Sequence, residues 1–445
     1  MKQNKNNSLF SQFGLPLILL LFVFSACDST SKEVEHQYDP NKPVKVDDFS
    51  PTEGMIATPV ILRGDNFGGD VKNVKVYFNN NEAFVASAKG NRLFVVTPKC
   101  TYEDTCYISV VIGKDSVTYT KPYIYETTAN VSTVAGGSRT AEDTFDESNL
   151  ALAQFNREVE GICIDKNDDV FITSSVYIFR ISEKNNLVKK LYDIDGGFLS
   201  WMKAIITDVN KEVIYSAFSL HNKHFLIFDP INDYEVTSRD LIDVSTGPQK
   251  IDGQFRYAMA ACPVDNNIYC MVVTTNLMYK LDPVSFKGEV IETASTIPFT
   301  GDCDGMTFHP EHPEMMYLSS NGRHCIYTYN VLTRQFKLVA GIPGQAGHWD
   351  AEAGSALFNT PRGITFDSNG DLFIVDGNNH CIRKLDLTTN QVTTVAGQPG
   401  VAGYNDGKAG EDAMFYHPYG IAVNSKDILY ITETENRSVR RLAIE

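Results

Sequence analysis

The segment from Phe358 to Gly400, "FNTPRGITFDSNGDLFIVDGNNHCIRKLDLTTNQVTTVAGQPG", is one copy of a unit that recurs along the chain. Related text stands at 415–442, 301–341 and 155–191, and in degenerate form at 198–230 and 254–283. Six copies spaced by roughly 50 residues restrict the fold to an array in which each copy is one supersecondary unit. Each copy reads as four short strands, here "GITFD", "LFIVD", "IRKLD" and "VTTVAG". Six such units predict an all-β, six-bladed propeller. The last copy reaches Glu445 with three strands, and the missing text reappears as "NVSTVAGG" at 130–137. The strand 131–135 is therefore expected to complete the sixth blade, because closing the ring removes exposed sheet edges.

The topology of a four-strand meander sorts the loops. With strands a to d running outward from the centre, the b–c loops and d–a connections share one face. The a–b and c–d turns share the other. The a–b turns are lean ("DSNGD", "DKNDD"), while the last d–a connections are long ("IPGQAGHWDAEAGSAL", "QPGVAGYNDGKAGEDAM"). Long loops on a rigid scaffold are where binding usually resides. His348-Trp349 and Tyr404-Asn405 precede Asp350 and Asp406 in these two loops. A ring beside amides and carboxylates suits a sugar or an extended peptide. Around the channel mouth, the residue before the "GI" position reads Glu160, Met202, Met259, Asp304, Arg362 and Tyr419. The expected ligand surface is thus Trp349, Tyr404, Arg362, Tyr419, Asp304, Glu160 and His348. His224, His324 and His380 begin strand c in three copies, but this is the repeat's own turn position and no metal site is read there. The His309-x-x-His312 pair lies in an a–b turn without a helix to align it. No cofactor motif is found.

The formal net charge of −16 argues against nucleic acid, whose phosphates are held by Lys and Arg, and against adsorption to an anionic membrane. Lys2 and Lys5, the apolar run "LPLILLLFVFSA" and then Cys27 read as an export signal over 1–26. The ending "FSAC" resembles a bacterial lipobox, which makes Cys27 the lipidated residue and the lipid the membrane attachment. Residues 27–42 are polar and read as a tether. Export permits disulfides. Cys100 and Cys106 bracket a five-residue turn. Cys262 and Cys270 face each other if Asp265–Asn267 is the hairpin loop.

Residues 43–127 are β-like and not repetitive. "SPTEG" (50–54), "RGDNFG" (63–68), "VKVYFNN" (74–80), "FVVTPK" (94–99) and "ISVVIG" (108–113) resemble the IPT/TIG immunoglobulin-like domain. Over 128–445 the repeats resemble NHL repeats, with the Asn-His pair as Asn379-His380. A lipid anchor, an immunoglobulin-like spacer and an NHL propeller together resemble Bacteroidetes surface lipoproteins of nutrient-uptake loci. That resemblance implies a non-catalytic, surface-exposed protein on the outer membrane, binding glycan or peptide, with an outer-membrane transporter as partner. The alternative it leaves is a propeller hydrolase or lyase with a metal in the channel. No catalytic motif in the chain favours that alternative.

Overall fold

The computed structural model describes residues 37–98, 105–126, 128–137, 149–193, 204–217, 224–246, 258–272, 276–299 and 303–444. The readings on Cys27, Cys100, Met202 and the side chain of His224 fall outside the described residues.

Between Lys45 and Tyr125 the chain forms a seven-stranded and a three-stranded sheet around one core. Its strands alternate, as in Pro59–Asp65, where Val60, Leu62 and Gly64 are buried and their neighbours are not. One residue in two then feeds the core, here with Leu62, Val76, Phe78, Leu93 and Ile108.

The rest is a ring of six antiparallel blades. Blades one to four span 162–193, 205–240, 259–292 and 306–340. Blade five runs Pro361–Phe366, Leu372–Asp376, Cys381–Asp386 and Gln391–Ala396. Blade six runs Pro418–Val423, Leu429–Glu433 and Ser438–Ile444. The b strands of blades one, five and six are buried at every residue. Their texts, "VFITS", "LFIVD" and "LYITE", do not alternate because both faces meet a neighbouring blade. One hydrophobic core lies between each adjacent pair of blades. The core between blades six and one joins Val439 and Tyr430 to Phe155, Ile172 and Phe179.

The strand Ala129–Gly136 pairs antiparallel along Ser438–Ile444 as the outer strand of blade six. It is three residues longer than the 131–135 read from sequence. Its other edge is covered too, by Gly407–Lys408. Blade five is treated alike, since Ala351 and Glu352 pair with Val392 and Gln391 on its outer strand. This departs from the sequence reading of the d–a loops as a crown on one face. Each of these two long loops folds back on the outer strand of the blade it enters and shields an otherwise open edge. The a–b turns interlock around the ring as well. Ser368 donates to Asp427 from its N–H at 2.9 Å and its Oγ at 2.7 Å, and Ser425 donates to Asp168 at the same two distances.

The cysteine pairing does not hold. Cys262 and Cys270 are both free. Cys270 lies opposite Met259, while the Cys262 N–H donates to Asn267 O, so the hairpin register is offset from the one assumed. Cys262 points into the core shared with blade four and Cys270 into the core shared with blade two.

Candidate functional site

Arg383 and Arg440 are fully buried, each on strand c of its blade. Arg383 Nη1 donates to Asp376 Oδ2 at 2.9 Å and Leu357 O at 3.0 Å. Its Nη2 donates to Asp350 Oδ1 at 2.6 Å and Trp349 O at 3.0 Å. Arg440 repeats the set with Glu433 Oε2 (2.9 Å), Met414 O (3.1 Å), Asp406 Oδ1 (2.6 Å) and Asn405 O (2.7 Å). Asn379 and Asn436 add a parallel tie. Each donates to the same strand-b carboxylate group and to a loop carbonyl, Gly347 or Gly403. A guanidinium removed from water needs every donor directed at an acceptor, and these forks nearly meet that demand. The result is a clamp that fixes the backbone of the long loop. Burial pushes the Asp376 carboxyl up to about 6, against the pull of Arg383, Asn379 and the Asn359 amide. Burial raises Glu433 as well.

The clamps also fix which residues correspond. His348 Nε2 meets Thr394 Oγ1 at 2.8 Å, and the Tyr404 hydroxyl meets Thr133 Oγ1 at 2.9 Å. Asp350 and Asp406 each accept from the N–H and hydroxyl of that same threonine. Tyr404 is therefore the counterpart of His348, and Trp349 the counterpart of Asn405. The two rings sit one position apart. Their environments differ accordingly. Tyr404 is pinned by its hydroxyl and lies under Arg440, with Cζ 4.9 Å from its ring centroid. Asn405 turns its amide to Asp412 O. Trp349 has a clamped backbone and an indole that is 61% exposed. Burial lowers the His348 pKa, Arg383 lowers it further, and Asp350 opposes.

The channel-mouth residues form a separate group. Arg362 Nη1 donates to Asp304 Oδ2 at 2.8 Å, Asn321 Nδ2 donates to the same oxygen at 3.0 Å, and the Tyr419 hydroxyl donates to Oδ1 at 3.1 Å. The Arg362 guanidinium stacks over Tyr419, 4.6 Å from its centroid. Glu160 is buried beside them. Burial drives the Tyr419 hydroxyl well above its ordinary range, and Asp304 and Glu160 add to that. Burial opposes the Arg362 charge, yet Asp304, Tyr419 and Glu160 raise its pKa overall. The contacts of this group run to one another, whereas those of His348 and Tyr404 run to the outer strands and the Trp349 backbone is tied to Arg383 and Leu357. Met259 does not belong to the ring of mouth residues. It pairs with Cys270 as Met306 does with Leu318, which places it two positions further along its strand.

His324 and His380 serve the scaffold. Their Nδ1 atoms accept the N–H of Thr360 (3.1 Å) and of His417 (3.2 Å), tying one blade to the loop of the next. Burial lowers both pKa values. Among the described residues no group of three or more His, Cys, Asp or Glu converges to hold a metal.

These features define a class of protein: an IPT/TIG domain followed by a six-bladed NHL-repeat propeller. Residues 43–125 match the IPT/TIG domain and 358–385 the NHL repeat. The chain is similar to a structural genomics protein of unknown function from Bacteroides thetaiotaomicron, at 25% identity and a TM-score of 0.71 over 92% of this chain and 100% of that one. It shares its fold with an auxiliary nutrient binding protein from Bacteroides ovatus, at 23% identity and a TM-score of 0.59 over 92% and 100%. Among curated proteins, NHL repeat-containing protein 2 of Gallus gallus is 23% identical over 258 residues, 53% of this chain and 34% of that protein. The Arabidopsis thaliana protein SUPPRESSOR OF QUENCHING 1, chloroplastic, is 34% identical over 143 residues, 31% of this chain and 13% of that protein. The chain thus spans about a third or less of the curated relatives it matches.

Proposed function

We propose that the chain is a non-catalytic binding protein of the bacterial cell surface, held by a lipid on Cys27, which captures a glycan for uptake by an outer-membrane transporter. Trp349 carries the reading. Its indole is exposed while its backbone is held by a buried arginine, so the ring is presented at little cost in order on binding. Asp350 flanks it with a carboxylate, the pairing of apolar platform and directional acceptor that sugars need. Proteins of the same fold from Bacteroides that carry the name auxiliary nutrient binding protein support capture over catalysis.

The test is a glycan array, with extended peptides as the competing class, on the purified protein and on Trp349→Ala. Stacking one ring is worth on the order of 1–2 kcal/mol, so the variant is expected to bind about tenfold more weakly. Undiminished binding by Trp349→Ala, or a preference for peptides, refutes the glycan platform. The anchor is tested separately. Cys27→Ser should move the protein out of the membrane fraction, and unchanged fractionation sinks the lipoprotein reading.

A further inference from the structure

A second site lies on the opposite face. The six innermost strands enclose a cavity of about 540 Å³ that runs from Asp304 and Tyr419 to the a–b turns. The two ends differ. At the Asp304 end neighbouring inner strands touch. A Cβ on Gly305 would lie 2.5 Å from Arg362 O, one on Gly363 2.8 Å from Tyr419 O, and one on Gly420 2.5 Å from Glu160 O. Asp304 and Tyr419 are themselves buried there. At the turn end the rim residues Val209, Lys211, Pro263, Pro310, Ser368 and Ser425 are exposed. Among the described residues, the Asp304 end is narrowed by the inner strands of blades four, five, six and one, and the turn face is open.

We infer that this pocket binds a small uncharged polyol, of mono- to disaccharide size. The Asp304 end explains why the part of the ligand that reaches it carries no charge, while Asp208, Lys211, Asp367 and Asp427 lie towards the turn end. Asp304 already has the guanidinium of Arg362 and two further donors, so a charged group brought against it would be desolvated without a partner. The walls explain the hydroxyls. Thr207, Thr307 and Thr365 line the cavity half-exposed, and among the described residues none of their hydroxyls has a hydrogen-bond partner. Each innermost strand is also the end strand of its sheet, so its free edge offers backbone donors and acceptors to the channel. Ala260, Ala261, Ala422 and Val423 supply apolar surface between these polar groups, as the two sides of a pyranose require. The volume lies within the ordinary range for small-ligand pockets. The turn-face rim is braced where the Ser368–Asp427 and Ser425–Asp168 ties lock the turns of blades five, six and one. A preformed rim keeps the ordering cost of binding low.

The experiment is calorimetric titration of the full chain with D-glucose, D-galactose and maltose, using glucuronate and glucosamine as charged controls. At least one uncharged probe is expected to bind, and the charged controls are expected to bind at least about tenfold more weakly. The double variant Thr307→Val, Thr365→Val removes two hydroxyls that hold nothing in the protein, so its melting curve should match the parent. Its affinity should fall by about tenfold or more. Trp349→Ala should leave this binding unchanged, which separates the pocket from the glycan platform proposed above. The inference is overturned if no uncharged probe binds, if the charged controls bind equally well, if the double variant binds like the parent, or if Trp349→Ala abolishes the signal.

Discussion

Blades five and six are built on one clamp and present different chemistry from it. In both, a buried arginine grips a strand-b carboxylate, a loop aspartate and two loop carbonyls. In blade five the loop presents Trp349 to solvent. In blade six the corresponding Asn405 donates its amide to Asp412 O, and the ring one residue earlier, Tyr404, is spent on holding Thr133. The outer strands also differ in origin. Blade five draws Gln391–Ala396 from its own repeat, 41 residues or more after Asp350 along one continuous unit, whereas blade six borrows Ala129–Gly136 from the other end of the domain. Both loops fasten their outer strand through one threonine, Thr394 or Thr133. In blade six that strand is borrowed and the fastening ring is Tyr404, whereas in blade five His348 does the fastening and leaves the next residue, Trp349, exposed.

The largest effect should come from removing the borrowed strand. A chain beginning at 138 leaves Ser438–Ile444 as an open edge and uncovers the core between blades six and one. It should aggregate, or melt more than about 10 °C below a chain beginning at 128, which keeps the strand but equally lacks the first domain. Coincident melting curves for the two would mean that blade six does not depend on the strand.

Next come the clamps. Arg383→Met and Arg440→Met each strand a buried carboxylate, at a cost of about 3–5 kcal/mol in unfolding free energy. Each change also loosens the threonine that the loop aspartate holds, Thr394 or Thr133. Arg440→Met should cost more, because Thr133 lies on the strand borrowed from the other end of the domain, whereas Thr394 lies on a strand of its own repeat. Denaturant unfolding decides this. Equal losses would show that the two clamps are equivalent and that closure does not pass through Arg440.

The repeat, the two domains and the strand order were legible because they rest on local signals: apolar b strands, Gly-rich turns and the recurrent "VAG". The register failed where those signals fade. Blades five and six mark their inner strands with Gly363 and Gly420, which neighbouring backbone forbids from carrying a Cβ. Blade three has Ala258 near that place, and without the glycine Met259 was set two residues out of line. The correspondence of His348-Trp349 with Tyr404-Asn405 is legible from the aspartates that follow, but not that one ring is exposed and the other pinned. The clamp arginines went unread because "IRKLD" and "VRRL" look like ordinary exposed strands. A signal was present in the shared seven-residue step from Asp376 to Arg383 and from Glu433 to Arg440. What no sequence pattern conveys is that Arg362, Asp304 and Tyr419, from three different blades, satisfy one another.

The two rings give a smaller contrast. Tyr404→Ala loses a hydrogen bond and the stacking on Arg440, together about 2 kcal/mol of stability. Trp349→Ala removes a side chain that is mostly in water and should stay within about 0.5 kcal/mol of the parent. If Trp349→Ala destabilises as much as Tyr404→Ala, the indole is a packing group and the contrast between the two rings fails.

The smallest expected effect is a pH dependence carried by the strand-b carboxylates. Burial holds Asp376 at about 6 in the folded protein, against an ordinary value of 3.8. Between those values the folded state keeps a proton that the unfolded chain has released. Unfolding free energy therefore falls as pH rises through this window, and the stabilising contribution is full only below the unfolded value. It is lost by pH 7. Asp376→Asn cannot titrate, so the stability difference between parent and variant should move in the parent's favour by about 1 kcal/mol from pH 7 to pH 5. Glu433→Gln should shift in the same direction, since burial raises Glu433 too. Chemical unfolding of the three proteins at the two pH values checks this. A difference that stays flat for Asp376→Asn would mean that Arg383 offsets the burial of its partner completely, and that the blade-five clamp is ionised throughout the range.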